Sequence, residues 1–424
     1  MGIQSAMYSG VRGLNTNAQA MSVIGNNLAN TNTIGFKGAR SIFADLLSSS
    51  VRSSGQGFSQ VGRGVGVSTI DNVFSQGTFE TTSSNTDVAI EGDGFFLLKE
   101  PEDETVYYSR AGAFRFNEEG FLTNPEGLHV QGKSFDAVGN LLPGDPQDIQ
   151  VLNVGLIPAR ATETMTYNTN LDADSAIPAG GWAAWNPDDT TTYNYTGTTQ
   201  VFDSLGEGHL TSVYWRVTDP VTNTWEWFYD IPDAGLQAAG APGLVFNADG
   251  TLPDVDGDGF PDPVVGNING INWGNGSDPS DLELNFDCTQ FDSQSVVIAQ
   301  DQDGFTAGNM TNITINNDGI VIANYSNGER TNIAQLVLGK FKNPNGLFME
   351  GSNLYTASNE SGAPRVGLPG PELGKIFTSS LEQSNVDMGQ EFVKMITVQR
   401  GFQANSKIIT TVDELLGELI NLKR

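Results

Sequence analysis

The stretch that decides the fold runs from Ile3 to Leu28 and reads IQSAMYSGVRGLNTNAQAMSVIGNNL. Intervals of four and three residues alternate along it at Ile3, Met7, Gly10, Leu14, Asn17, Met21, Ile24 and Leu28. This is the heptad spacing of a helix with one narrow apolar stripe. The glycines at 10, 13 and 25 each cost a helix about 1 kcal/mol relative to alanine. Because an isolated helix gains little in water, the stripe needs a partner to pack against.

A second striped helix is predicted at the other end of the chain. Ile408, Val412, Leu415, Leu419 and Leu422 repeat the alternation, and Met388, Phe392, Met395 and Phe402 precede them. The two stripes can be covered in two ways: they pack on each other within one molecule, or they pack between chains. Periodicity alone leaves both open.

The residues that follow the first stripe resemble a family signature. Gly25 to Lys37, GNNLANTNTIGFK, is similar to the N-terminal signature of bacterial flagellar rod and hook proteins. Chemically it is a helix that ends in asparagines, which tolerate turns. A polar corner follows, and Gly35 allows the chain to turn there before Phe36. Leu381 to Asp387 (LEQSNVD) and Met395 to Asn405 (MITVQRGFQAN) resemble the C-terminal signature of the same family. The chain is therefore identified as a member of it.

Composition excludes several classes of protein. The 424 residues allow about two to four domains, and 38% hydrophobic residues suffice for packed cores. Fifty acidic against 21 basic residues give a net charge of −29, which repels nucleic acid and anionic membranes and excludes nucleic-acid binding. The single cysteine, Cys288, allows no internal disulfide and is expected to be a buried thiol. Met1 to Ala20 has no continuous apolar run, which predicts neither a cleaved secretory signal nor a membrane span.

The order of segments predicts discontinuous, nested domains. They are a terminal helical domain (1–47 plus 376–424), two flexible Ser- and Gly-rich joints (48–66 and 357–375), an inner β domain (67–160 plus 301–356) and an acidic outer β domain (161–300). The predicted fold class is therefore mainly β, with α-helical, coiled-coil-like termini.

Composition shifts abruptly in the predicted outer domain, residues 161–300. Counted along the sequence, it holds 21 acidic residues, one basic residue, Arg216, and all six tryptophans. Leu210 to Val217 alternates apolar and polar residues, and 225–229 does so again after a turn. This pattern predicts two antiparallel strands of a β domain with its own core.

No catalytic residues are predicted, and the chain is expected not to be an enzyme. The two histidines, His129 and His209, lie far apart in the sequence and fall in different predicted domains. A histidine-based nucleophile or zinc site would need Cys288 or carboxylates as helpers. Acidic pairs in the outer domain are too numerous to indicate glycoside hydrolysis.

The most specific sequence motif in the chain, apart from the family signatures, is one acidic loop. It matches positions 1, 3, 5 and 9 of a calcium-loop pattern, with Gly259 at position 6. The predicted metal ligands are the side chains of Asp254, Asp256, Asp258 and Asp262 and the carbonyl oxygen of Phe260. Position 12 is Val265 instead of the glutamate of sensor loops, so weak calcium binding is expected. A solvated acidic turn without an ion is the alternative, and no other cofactor is expected.

The family resemblance implies a function that the residues alone do not show. It implies a structural subunit that polymerises with copies of itself into a short curved hollow tube and passes motor torque to the flagellar filament. The implied partners are rod proteins, the hook cap and the hook-filament junction proteins, and the implied export route is the flagellum's own secretion apparatus. Alternatives are a distal rod or junction subunit, although rod members usually lack the central insert, or a secreted calcium-dependent carbohydrate-binding protein.

The stripes and signatures together predict an assembly interface. Its members are Ile3, Met7, Leu14, Met21, Ile24, Asn26, Asn27, Leu28, Phe36, Phe392, Met395, Phe402, Ile408, Val412, Leu415, Leu419 and Leu422.

Overall fold

The computed structural model describes residues 2–46, 49–52, 58–101, 103, 105–136, 139–151, 155–178 and 185–422, with the backbone only for 2–4, 49–52, 58–61 and 419–422. The chain divides into two compact units. The terminal unit comprises Met1–Leu152, Ile313–Ala323 and Thr331–Arg424, and the central unit comprises Asn153–Asn312 and Asn324–Arg330.

The described elements are two long helices, two short 3₁₀ helices and many short strands. The helices are α1 (Gly2–Ala29), α2 (Met388–Leu422) and the 3₁₀ turns Pro232–Ala234 and Pro344–Gly346. The strands are β1 (Ala39–Asp45), β2 (Ser49–Arg52), β3 (Phe58–Val61), β4 (Val65–Asn72), β5 (Phe79–Thr81), β6 (Val88–Glu91), β7 (Phe95–Lys99), β8 (Val106–Ser109), β9 (Arg115–Phe116), β10 (Leu122–Thr123), β11 (His129–Ser134), β12 (Gln147–Asp148), β13 (Leu156–Ile157), β14 (Thr164–Asp172), β15 (Tyr195–Phe202), β16 (Gly208–Asp219), β17 (Thr224–Ile231), β18 (Leu236–Ala239), β19 (Leu244–Val245), β20 (Val264–Ile271), β21 (Ser280–Phe291), β22 (Val296–Gln302), β23 (Gly308–Ile315), β24 (Ile320–Tyr325), β25 (Arg330–Leu336), β26 (Leu338–Lys340), β27 (Phe348–Gly351), β28 (Leu354–Thr356), β29 (Arg365–Gly367), β30 (Lys375–Thr378) and β31 (Ser380–Glu382).

Local hydrogen bonds and turn residues mark the end of α1 and the start of α2. After α1, the amide N–H of Asn30 donates to the carbonyl oxygen of Asn26 at 3.2 Å. Gly35 adopts a left-handed φ of 70°, at which the chain turns away from the helix. α2 starts after Asp387, whose Oδ1 accepts the amide N–H of Gln390 at 2.9 Å as an N-cap does. In the part of the chain that the structure describes, no helix is long and apolar enough to cross a membrane.

The terminal unit is built on an antiparallel sheet. Its strands follow the order β25-β11-β7-β8-β28-β27. Leu98, Val130 and Leu336 are buried in the core on one side of this sheet. β6 pairs with β30 and β5 pairs with β31, so the segments that lead into α2 lie beside the early strands of the unit.

Residues 39–45 correct the prediction that 1–47 belongs to a helical domain. They form β1, which pairs antiparallel with β4 along its length. Ile42 and Phe43 favour a strand, and β4 supplies the backbone hydrogen-bond partners. β2 pairs with β3 inside the first predicted joint, and β29 pairs with β26 from inside the second. The two segments predicted as flexible joints therefore contain regular structure, because a Ser- and Gly-rich composition does not prevent backbone pairing.

The central unit is a β-sandwich. One sheet has the order β20-β21-β14-β22, with β14 and β21 parallel, and the other has the antiparallel order β15-β16-β17-β18. In the predicted strand pair, Trp215 of β16 lies opposite Trp227 of β17. Both indoles are fully buried between the sheets, and Tyr167 of β14 meets Trp215 edge to face with ring centroids 5.6 Å apart. The predicted fold class, mainly β with a helix at each end, is confirmed.

Candidate assembly surface

The two terminal helices pack against each other in antiparallel orientation. A Cβ built on Gly13 would lie 2.5 Å from Oδ1 of Asn405, and one built on Gly401 would lie 3.2 Å from Oδ1 of Asn17. Side chains of ordinary size do not fit at the first of these distances, so glycine at position 13 permits the close approach. The structure shows packing within one molecule along the small-residue face of α1, while most of the predicted stripe of α2 stays exposed.

The contact has a reciprocal geometry. Asn17 Nδ2 donates to the carbonyl oxygen of Gly13 on its own helix at 2.8 Å, and Asn405 Nδ2 donates to that of Gly401 at 2.9 Å. Each asparagine amide is thereby held by its own helix and turns its oxygen toward the glycine of the other helix. The spacing of glycine and asparagine by four residues is visible in both helices of the sequence, but of these four residues the predicted stripes include only Asn17.

The buried face of α1 is rotated from the predicted stripe. Its buried members are mostly small: Gly10, Gly13, Thr16, Ala20, Ile24 and Asn27. Met7, Leu14, Met21 and Leu28 flank this face and stay half-buried. The small residues let the two backbones approach, and the larger side chains are left at the edges of the contact.

The polar corner after α1 is held by asparagine side chains. Asn27 donates through Nδ2 to the carbonyl oxygen of Ala39 at 2.7 Å and accepts the Ala39 amide N–H at 2.9 Å. Its Nδ2 also lies 3.3 Å from Oε2 of Glu391 on α2. Asn385 accepts the amide N–H of Gly38 at 2.9 Å and donates to the carbonyl oxygen of Val73 at 2.7 Å. The two family signatures therefore meet in space and tie α1, β1 and α2 together.

A buried ionic cluster lies beneath this corner. Nζ of Lys37 is 2.6 Å from Oε1 of Glu382, and NH1 of Arg110 is 3.4 Å from Oε2 of the same carboxylate, with all three side chains at 2% exposure or less. Burial lowers the pKa of the Lys37 ammonium, while the charge of Glu382 acts to raise it. Burial also lowers the pKa of the Arg110 guanidinium against the same attraction. Sequence reasoning missed this cluster, although Lys37 and Glu382 both stand inside the quoted signatures.

The outer side of the helix pair is apolar and exposed. On α2, Val393 is 65% exposed, Ile396 50% and Phe392 46%. Tyr8 and Val11 of α1 are exposed too. Phe392, Val393 and Ile396 lie within little more than one turn of α2, and exposed large apolar side chains that lie this close together are typical of an interaction surface.

The predicted interface residues fall into four groups. Ile24, Asn27, Phe36 and Val412 are buried inside the chain. Met7, Leu14, Met21, Leu28 and Met395 are half-buried, and Asn26, Phe392, Phe402, Ile408 and Leu415 are exposed. The side chains of Ile3, Leu419 and Leu422 lie outside the described residues.

The predicted calcium loop gathers part of its ligand set. Carboxylate oxygens of Asp254, Asp256 and Asp262 lie within 4.8 Å of one another, and Asp258 stands apart from this group. Backbone N–H groups close the loop: Oδ1 of Asp254 accepts that of Gly257 at 2.6 Å, and Oδ2 of Asp262 accepts that of Val255 at 2.6 Å. The side chain of Phe260, whose carbonyl was the fifth predicted ligand, is exposed. The loop therefore retains the arrangement of a turn stabilised by its own amides, and calcium binding stays a prediction.

The aromatic and thiol groups of the central unit are packing residues. Trp215, Trp225, Trp227 and Trp273 are buried, so these rings do not form the exposed platform that stacks on a sugar. Burial raises the pKa of the Cys288 thiol to about 12, which makes it an inert core group. These four tryptophans therefore give the carbohydrate-binding alternative no support.

Family models match four successive parts of the chain. Residues 7–37 match "Flagella basal body rod protein" and 89–164 match "Flagellar hook protein FlgE/F/G D1 domain". Residues 170–305 match "Flagellar basal body protein FlaE D2 domain" and 378–422 match "Flagellar basal body rod FlgEFG protein C-terminal". The paired terminal helices and the nested β units are thus those of a bacterial flagellar axial protein.

Similarity over the whole chain narrows the class further. The chain is 36% identical to the flagellar hook protein FlgE of Escherichia coli, covering 99% of this chain and 100% of that protein, and 34% identical to FlgE of Borreliella burgdorferi, covering 99% of each. The crystal structure of Helicobacter pylori flagellar hook protein FlgE2 shares the fold with a TM-score of 0.51 at 13% identity, over 72% of this chain and 99% of that chain. The chain belongs to the flagellar hook protein family.

Proposed function

We propose that this protein is a structural subunit of the bacterial flagellar hook. Copies of it polymerise through the outer side of the α1/α2 pair into a curved hollow tube that acts as a universal joint between motor and filament. One observation carries the proposal: the inner face of the helix pair is closed by the Gly13/Asn405 and Gly401/Asn17 contacts, whereas the outer face leaves Phe392, Val393 and Ile396 exposed.

The free energies of burial and association favour an assembly in which each subunit has several neighbours over a simple dimer. Full burial of a large apolar side chain contributes about 1.5 to 3 kcal/mol, and each half-exposed side chain on α2 has about half of that left to gain. Association of two chains costs roughly 4 to 15 kcal/mol in lost freedom and ordering. A few such side chains at one contact do not offset this cost, but a helical array in which each subunit touches several neighbours does.

The proposal extends to location, partners and chemistry. The subunit lies in the hook outside the cell after passage through the flagellum's own secretion apparatus. Its neighbours are copies of itself, with rod proteins below it and the hook cap and hook-filament junction proteins above it. Its activity is assembly and torque transmission, without catalysis. The names of the relatives and the flagellar family models support this reading.

We also propose separate roles for the two β domains. The inner β domain, residues 67–160 plus 301–356, would carry contacts between neighbouring subunits, and the acidic domain, residues 161–300, would keep the assembled surface hydrated. With 21 acidic residues against one basic residue, copies of this domain repel one another at short range, which opposes sticking during bending.

We further propose that the Asp254–Asp262 loop binds calcium weakly. Three of its carboxylates already lie within 4.8 Å of one another, and hard cations prefer oxygen ligands.

Electron microscopy tests the main proposal. The purified chain, concentrated or salted out, should form helical tubes, and discrete particles under every condition would overturn the proposal. Antibody raised against the central unit should label the segment between basal body and filament in intact flagella. Label confined to the rod or to the filament junction would instead favour one of the other axial roles.

A further inference from the structure

The two histidines of the chain have nearly the same immediate surroundings. Nδ1 of His129 lies 2.9 Å from Oδ2 of Asp148, and its ring stacks on Phe121 with centroids 4.2 Å apart. Nδ1 of His209 lies 2.9 Å from Oδ2 of Asp233, and its ring stacks on Trp273 with centroids 4.1 Å apart. In both, the carboxylate is placed to accept a hydrogen bond from Nδ1–H, and in a neutral ring with this tautomer the lone pair lies on Nε2.

The two sites differ at Nε2. Nε2 of His209 faces Oδ2 of Asp203 at 3.5 Å, and the carboxylate of Glu207 completes a group of ligand atoms within 4.8 Å of one another. Asp203 and Glu207 stand in the turn between β15 and β16, and His209 is the second residue of β16. His129 has no such group among the described residues.

Asp203 is an anion held inside the protein. Its side chain is 0% exposed, and Oδ1 accepts the amide N–H groups of Leu205 at 2.9 Å and Glu207 at 2.8 Å. A buried carboxylate of this kind needs a positive counterpart.

The described surroundings offer little positive charge. Nδ2 of Asn275 lies 2.5 Å from Oδ2 of Asp203 and 2.8 Å from Oε2 of Glu207, so a neutral amide stands between two carboxylates. Arg216, the only basic residue in 161–300, pairs with Glu226 at 2.8 Å. With Asp233 counted, three carboxylates surround one imidazole.

We propose that the chain binds a divalent transition metal ion of the zinc class at this position, through Nε2 of His209, Oδ2 of Asp203 and the carboxylate of Glu207. One imidazole nitrogen and two carboxylate oxygens are a ligand set that zinc accepts. Asp233 is the positioning residue, because its hydrogen bond to Nδ1 fixes the tautomer that leaves Nε2 available. The exposed Glu207 gives the ion its route of entry, and the Asn275 amide withdraws as the ion takes its place.

Bound zinc would hold the β15–β16 turn in place and stabilise the central unit by an amount that grows with the logarithm of the zinc concentration. The proposal is independent of the calcium loop, whose carboxylates are a separate group. It is also independent of the assembly surface, because the ligands lie in the central unit.

The test uses the full chain labelled with ¹⁵N-histidine, whose NMR spectrum contains two imidazoles. Adding zinc chloride at neutral pH should shift the Nε2 resonance of His209, leave that of His129 in place and raise the melting temperature. His209→Gln and Asp203→Asn should abolish both effects, and His129→Gln should keep them.

Because buried variants can misfold, the exposed Glu207→Gln serves as the second variant and should weaken zinc binding at least tenfold. Asp233→Asn should weaken it about 10- to 100-fold while leaving Asp203 and Glu207 in place.

Three results would overturn the proposal. In the first, His209 carries protons on both nitrogens at neutral pH and excess zinc does not displace them. The positive charge beside Asp203 is then that of the protonated imidazole. In the second, zinc shifts neither imidazole. In the third, Glu207→Gln and His129→Gln leave zinc affinity equally unchanged.

Discussion

Nζ of Lys37 lies 2.6 Å from Oε1 of Glu382, and both side chains are completely buried. These residues are 345 positions apart in the chain, and Glu382 also contacts Arg110. The amide N–H of Gly77 donates to the same Oε1 at 2.8 Å. One carboxylate therefore neutralises cations from two separate segments of the terminal unit and fixes the strand that leads into α2.

Glu382→Gln should be severely destabilising. The substitution leaves Lys37 and Arg110 buried without their counter-charge, and breaking a buried ion pair costs about 3 to 5 kcal/mol. Chemical denaturation of the monomer measures the loss. Glu372→Gln is the matched control, because Glu372 pairs with Arg365 at the surface, where an ion pair contributes about 0 to 1 kcal/mol. Equal effects of the two variants would show that the buried cluster does not hold the unit together.

Gly13→Ala should disrupt the helix pair, although alanine is the better helix former. The new methyl group would stand 2.5 Å from Oδ1 of Asn405, so either this amide turns away and gives up its hydrogen bond to Gly401, or α1 and α2 move apart. Hydrogen exchange of α1 amides should accelerate, and helical circular dichroism should melt earlier. Gly25→Ala is the control, because a Cβ there meets nothing within 4 Å; it should stabilise α1 by about 1 kcal/mol. A stabilised Gly13→Ala variant would contradict the close helix contact.

Cys288 should resist thiol reagents until the central unit unfolds. Burial raises its pKa to about 12 from an ordinary 9.0, so the folded state keeps the thiol protonated. This contribution to stability is complete below pH 9 and is lost as pH rises toward the folded value. The difference in unfolding free energy between wild type and Cys288→Ala should therefore shrink above about pH 9. Rapid labelling of the folded chain at pH 8 would refute the buried assignment.

Calcium should raise the melting temperature of the central unit modestly. The expected dissociation constant is about 10⁻⁴ to 10⁻³ M, as in extracellular modules, because Val265 replaces the glutamate of sensor loops. Asp256→Ala should remove the rise, and Asp292→Ala, at another exposed site of the central unit, should keep it. Calorimetry without binding heat, together with identical melting curves in chelator and in calcium at about 10 mM, would identify the loop as a plain acidic turn.

Sequence reasoning succeeded where short-range pattern determines structure. The helix at each end and the facing strands of Trp215 and Trp227 follow from residue periodicity. It failed on the buried face of α1, because heptad analysis rewards large residues, whereas the contact depends on Gly13 being small enough for Asn405 to approach. The Lys37–Glu382 pair could not be found from spacing, because only the pairing of β5 with β31 brings Glu382 into place.

The central claim is that copies of the chain assemble through the outer side of the α1/α2 pair, and Phe392→Asp tests it most directly. Phe392 is 46% exposed in the single chain, so the new charge should leave monomer unfolding within about 0.5 kcal/mol of wild type, as surface substitutions do. Buried between subunits, the same charge should abolish tube formation in electron micrographs. Val255→Asp, at an exposed apolar site of the central unit, is the control and should form tubes normally. Tubes of normal length and number from Phe392→Asp would contradict the account.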